Sequence, residues 1–182
     1  MAKVILGLLA AGAVALFAVT RAWASATVRT PGVPVDTVSV SGVDAAPILA
    51  GLAVVVVAGS LAVVAAGGWF RQLVGLVIAA VAGFAALRAL TLNVGGPPLG
   101  RALKESPAYI GGVEPHVAGA PWPWVAALAF AVACGLAVVV ALRGRQWARM
   151  SARYERDADA EAGESDDVDF WRAQDRGQDP TR

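Results

Sequence analysis

Four long apolar blocks, set apart by polar or Gly/Pro-rich stretches, dominate the pattern along the chain. They cover about 4–22, 46–66, 72–92 and 122–142; the second and fourth carry no charge and the third is broken only by Arg88. Roughly 20 apolar residues of helix cross a hydrocarbon core of about 30 Å. Valine runs such as Val54-Val55-Val56-Val57 would suggest strands in water. In lipid the backbone must satisfy its polar groups within the segment, which selects helix. Outer-membrane strands are about 10 residues long and alternate in polarity, and these blocks do neither. The pattern predicts an all-α integral membrane protein, a four-transmembrane-helix bundle over residues 1–142.

Composition agrees. Hydrophobic residues make up 57% and charged residues 16%, with a mean hydropathy of +0.61, against about 25% charged in soluble domains. Five of the six tryptophans flank the blocks: Trp23, Trp69, Trp122, Trp124 and Trp147. Amphipathic rings favour the headgroup level, so these five, with Arg143, Arg145, Arg149 and Tyr154, are expected to anchor the protein at the lipid interface.

Charge asymmetry sets an orientation. Arg143, Arg145, Arg149 and Arg153 follow the fourth block closely, whereas the nearest base before it is Lys104. The positive-inside rule places that end in the cytoplasm. Threading back through the short Gly67-Gly68-Trp69-Phe70-Arg71 connection puts both termini inside and the 23–45 and 93–121 loops outside. The first block has a rival reading: Lys3, an apolar run and Ala24-Ser25-Ala26 imitate a secretory signal peptide. Arg21 and Trp23 are awkward before a cleavage site, and retention is the expectation.

The first outer loop holds Val35, Val38 and Val40 interleaved with Thr37 and Ser39, which predicts a small β-ribbon over the outer helix ends. In the second, Leu99 to Ser106 predicts a short interfacial helix between Gly/Pro breakers. After the fourth block, 143–156 reads as a basic juxtamembrane helix. Residues 157–182 form an acidic tail whose composition predicts disorder. Within it Phe170, Trp171, Asp175, Arg176 and Asp179 fit a partner-docking segment, and an unstructured terminus fits as well.

Candidates for chemistry are few. Arg88 is the only clear case of a charge well inside a span, since Arg21 stands at the very end of the first, and a charge there costs a few kcal/mol. It suits snorkelling to the headgroups, or an anion or ligand contact closing against Asp36, Asp44 or Glu114. The only histidine, His116, follows Glu114-Pro115 in a Gly/Pro loop and resembles neither a zinc site nor a nucleophile–base pair. Cys134, the sole cysteine, is expected to be a small buried hydrophobe. No catalytic residue, metal or cofactor is predicted, nor nucleic-acid binding. Gly75, Ala79 and Gly83, and again Ala127, Ala131 and Gly135, recur every four residues. Such stripes suit close helix packing, within the bundle or in a homo-oligomer.

Three segments together carry a family resemblance: Arg21-Ala22-Trp23, the run from Arg143-Gly144-Arg145-Gln146-Trp147 to Tyr154, and Trp171-Arg172-Ala173-Gln174-Asp175-Arg176-Gly177-Gln178-Asp179-Pro180-Thr181. The chain resembles the actinobacterial tryptophan-biosynthesis-associated membrane proteins, small four-span proteins encoded within or beside tryptophan operons. Gln174 departs from the leucine expected in the terminal motif. The resemblance implies a retained first span and a plasma-membrane location, and supplies no catalytic residues. It leads to the expectation of a non-enzymatic membrane accessory protein that docks a partner through its tail. The alternative is a small oligomeric exporter of tryptophan or an aromatic intermediate.

Overall fold

The structure is a computed structural model and describes residues 2–29, 34–106, 109 and 115–146. In chain order the elements are α1 (Ala2–Val19), β1 (Ala22–Val28), β2 (Asp36–Ser41), α2 (Gly42–Ala45), α3 (Pro47–Ala65), α4 (Gly68–Thr91), α5 (Pro97–Glu105), β3 (His116–Gly119) and α6 (Trp122–Arg143). A single 3-10 turn, Gly144–Gln146, follows α6. Helices α1, α3, α4 and α6 are each long and apolar enough to cross a membrane. These elements belong to the unit Met1–Arg145.

Buried positions step by four and three along each long helix. They are Leu49, Ala53, Val56, Ser60 and Val63 in α3; Arg71, Gly75, Ile78, Ala82, Ala85 and Ala89 on one seam of α4; and Ala126, Phe130, Ala133, Ala137 and Val140 in α6. A repeat of 3.5 residues keeps one seam facing the partner helices in a left-handed bundle. Helix α1 packs on α3 and α6, and α4 packs on the same two, closing a ring of antiparallel neighbours. The interior is apolar apart from Arg71 at one end and Ser60, whose hydroxyl donates to the Val57 carbonyl of its own helix at 2.6 Å.

Gly75 sets the closest approach. A Cβ there would lie 2.8 Å from the Ala141 nitrogen and 3.1 Å from the Ala137 oxygen, so α4 and α6 meet backbone to backbone. The Gly75, Ala79, Gly83 stripe does face α6. The second stripe, on α6, faces inward only at Ala127; Ala131 and Gly135 are exposed, and a Cβ at Gly135 would meet nothing. The α6 seam continues instead through Phe130, Ala133 and Ala137.

The connection from α3 to α4 is tighter than the sequence suggested. Helix α4 begins at Gly68, whose φ of 56° suits only a residue without a Cβ. Trp69, Phe70 and Arg71 are therefore helical.

At the opposite end lies a three-stranded antiparallel sheet of order β2-β1-β3. It is more than the ribbon expected from the first loop, since β3 comes from the second. The first helix also ends at Val19, short of residue 22, and β1 takes over almost at once. The β1–β2 register shifts between Ala22 and Ala24, a bulge that absorbs Trp23. Alternation breaks there, so Trp23 and Ala24 are both buried while Ala26 and Val28 keep the regular inward phase. Helix α5 buries Leu99 and Leu103 against this sheet. Trp23, Val28, Val40, Leu99 and Leu103 share one core with Ala18, Leu49, Ala89 and Phe130, so cap and bundle are continuous.

Candidate functional site

Polar chemistry collects at the two ends of the bundle. The end bearing the α3–α4 turn and the end of α6 carries Lys3, Arg71, Arg143 and Arg145, while every carboxylate among the described residues lies at the sheet end. Lys3, Arg143 and Arg145 are exposed, but Arg71 is only 2% exposed. Its Nε donates to the Ala66 carbonyl at 3.0 Å and its Nη1 to the Gly144 carbonyl at a longer 3.4 Å. Ala66 and Gly144 are the C-caps of α3 and α6. Helix C-termini carry unsatisfied carbonyls and the negative pole of the dipole, and one guanidinium serves both. Beside this pair Trp69 and Phe70 meet edge to face at 6.2 Å, both exposed, as interfacial rings would be.

Arg88 lies in the last turn of α4 and is half-buried. Its place suits a cation, because the α4 C-terminus is a negative pole. It does not close against the expected carboxylates. The Asp36 carboxylate accepts the Ser106 hydroxyl instead, and the Asp44 carboxylate accepts both the amide and the hydroxyl of Ser41, at 3.1 and 2.6 Å. Glu114 lies outside the described residues.

Trp23 departs from its expected role as a lipid anchor. It is 1% exposed, and its Nε1 donates to the Ala18 carbonyl at 2.9 Å, near the end of α1. Protein covers the ring. Trp122 is half-buried, edge-on to Phe17 at 5.8 Å, and Arg21 stands 4.1 Å over the other aromatic partner, Phe17. Trp124 is 70% exposed and forms one wall of a recess of about 240 Å³, bounded also by Asn93, Val117 and Pro123. A polar groove of about 420 Å³ runs between β2, α2 and α5, past Ser39, Asp44, Arg101 and Glu105. His116 stands exposed on the edge strand β3. Cys134 is half-buried, 3.5 Å from where a Cβ on Gly83 would lie.

Four spanning helices are thus capped by a small sheet, and the carboxylates among the described residues all lie at the sheet end. The family described as tryptophan-associated transmembrane protein matches residues 5–181. The chain belongs to that family. No curated protein and no solved structure matches it. As a tryptophan-associated transmembrane protein it is a multi-pass membrane protein, and the match includes both the first helix and the tail.

Trp147, Arg149, Tyr154, Phe170, Trp171, Asp175, Arg176 and Asp179 lie outside the described residues. Among the described residues, the group that the sequence reading missed in this tryptophan-associated protein is Arg71. It had served only as a marker of sidedness. A signal was present: counting four back from Gly75 along the packing seam lands on Arg71, an arginine at a core position.

Proposed function

We propose that the chain is a non-enzymatic accessory protein of the plasma membrane, associated with tryptophan biosynthesis, that docks a partner through its cytoplasmic tail. The first span is retained in this reading, both termini are cytoplasmic, and Phe170, Trp171, Asp175, Arg176 and Asp179 make the contact. The observation that carries it is the bundle interior. The side chains on the seams are packed and apolar except Arg71 and Ser60, which suits an anchor better than a conduit. Retention is supported by α1 packing against α3 and α6. Ala24, Ser25 and Ala26 also pair on both sides within the sheet. Sidedness rests on the sequence, where Arg143, Arg145, Arg149 and Arg153 follow the fourth span closely. Affinity capture from membranes with the full chain, and with a chain lacking residues 170–182, tests the docking. The full chain retains a partner that the shortened one loses; identical partner sets would sink the reading.

One observation favours a second reading, an oligomeric exporter of tryptophan or an aromatic intermediate. The recess beside Trp124 offers an aromatic wall to a small flat molecule, although it is smaller than the roughly 300–1,000 Å³ of common ligand sites. Efflux of labelled tryptophan from cells with and without the protein separates the two, since only an exporter changes the rate.

A further inference from the structure

We propose that Arg71 is a latch that holds the root of the tail, gripping α6 where it stops being helical and tying it to the α3–α4 turn. The placement of this arginine calls for such a role. It stands in the fourth position of α4, close to a helix N-terminus, where the dipole disfavours a cation. It is also 2% exposed, although a buried charge is retained only where partners compensate it. Its partners include the capping carbonyls of two other helices, Ala66 of α3 and Gly144 of α6. A guanidinium has divergent donors in a fixed fork and can reach both; a lysine ammonium on the same stem cannot do so with the same geometry.

Fit on both sides makes the contact specific. One turn along α4, Gly75 admits the backbone of Ala137 to Ala141, which brings the end of α6 down onto Arg71. Gly144 then lies so close that a Cβ on it would stand 3.3 Å from both Cγ and Cδ of Arg71. The chain beyond Gly144 thus starts from a residue fixed on two sides. A rotation or pull at that point is resisted by the α3–α4 turn and not by α6 alone. If the tail docks a partner, as the functional reading holds, the load enters the bundle here.

The test uses the full chain in lipid nanodiscs, so that both faces are open to reagent. The single native cysteine is removed (Cys134→Ala), and one buried reporter is introduced at a time, Val140→Cys one turn before Gly144 or Val40→Cys in β2. The readout is the rate of maleimide labelling. Arg71→Leu is expected to raise the rate at the Val140→Cys reporter roughly tenfold, because a buried thiol reacts only when its segment opens locally. The Val40→Cys rate stays unchanged, and Arg71→Lys falls between. Gly144→Ala, which presses a methyl on Arg71 while keeping its charge, gives the same selective rise and serves should Arg71→Leu fail to assemble. An unchanged rate at the Val140→Cys reporter, or an equal rise at both reporters, overturns the latch. Deleting residues 170–182 leaves the labelling rates alone whatever it does to partner capture, so the latch and the docking reading fail separately.

Discussion

Trp23 lies directly over Gly42: a Cβ on Gly42 would fall 2.6 Å from Cε2 of Trp23 and 2.7 Å from the Val19 carbonyl oxygen. The tryptophan closes the sheet end of the bundle, and the glycine makes room for it. Gly42→Ala is expected to lower stability by about 1–3 kcal/mol through overpacking. Trp23→Phe keeps most of the apolar area but removes the indole donor from the Ala18 carbonyl, which still accepts the Arg21 amide, at about 0.5–1.5 kcal/mol. Equilibrium unfolding of both variants in mixed micelles checks the figures. A wild-type midpoint for Gly42→Ala would contradict the contact.

The two small-residue stripes make opposite predictions. Gly75→Val cannot be accommodated without parting α4 from α6, since backbone atoms of Ala137 and Ala141 stand in the way; loss of the folded monomer is the expected outcome. Gly135→Val enters open space and leaves the unfolding midpoint within about 0.5 kcal/mol of wild type, the usual range for substitutions away from packed features. Should Gly135→Val instead change the oligomer mass by light scattering, that stripe would be a contact between copies.

A pH effect is expected at the sheet end. Hydrogen bonds from the Ser41 hydroxyl and then its amide hold the Asp44 carboxyl below the ordinary range, against a small opposing effect of burial. A depressed folded value means that the capping box contributes its stability above the unfolded carboxylate value of about 3.9. That contribution is lost as pH falls through the lowered folded value. Asp44 is exposed, so the effect is small and local. The protection factors of the Ser41 and Asp44 amides, taken against the intrinsic exchange rate at each pH, should fall on acidification in wild type and be low at all pH values in Asp44→Ala.

Arg88 has a modest structural role. Arg88→Gln should cost no more than about 1 kcal/mol, the range for a cation at a helix C-terminus. A much larger loss in unfolding experiments would mean that the guanidinium holds a partner tightly.

The spans were legible because hydropathy over some 20 residues is a statement about solvent, which composition carries directly. Register was less so. The Ala127, Ala131, Gly135 stripe leaves the packed seam after Ala127, since in an alanine-rich helix several faces carry small residues and only the neighbour decides among them. The β-ribbon was visible in the alternation of Val38 to Ser41, but its central strand was hidden. Ala22 to Val28 falls at the end of the first span and the start of the loop, where Ala24-Ser25-Ala26 imitates a cleavage site, and the bulge at Trp23 breaks the period that would have betrayed a strand. Trp23 was misassigned for the same reason: an interfacial tryptophan and a plug look alike in sequence. The buried role of Arg71 depended on where α4 starts, which the left-handed Gly68 determines.

The sheet also carries a consequence for biogenesis. Its middle strand follows the first span and pairs on one side with β2, made shortly afterwards. The other side waits for residues 116–119, which belong to the connection before the last span. During synthesis β1 therefore keeps an open edge, the kind of edge that invites pairing with other chains, until three spans have been inserted and the second large loop has followed them. The cap is therefore completed late, and a chain stalled before residue 116 would leave β1 with one edge unpaired.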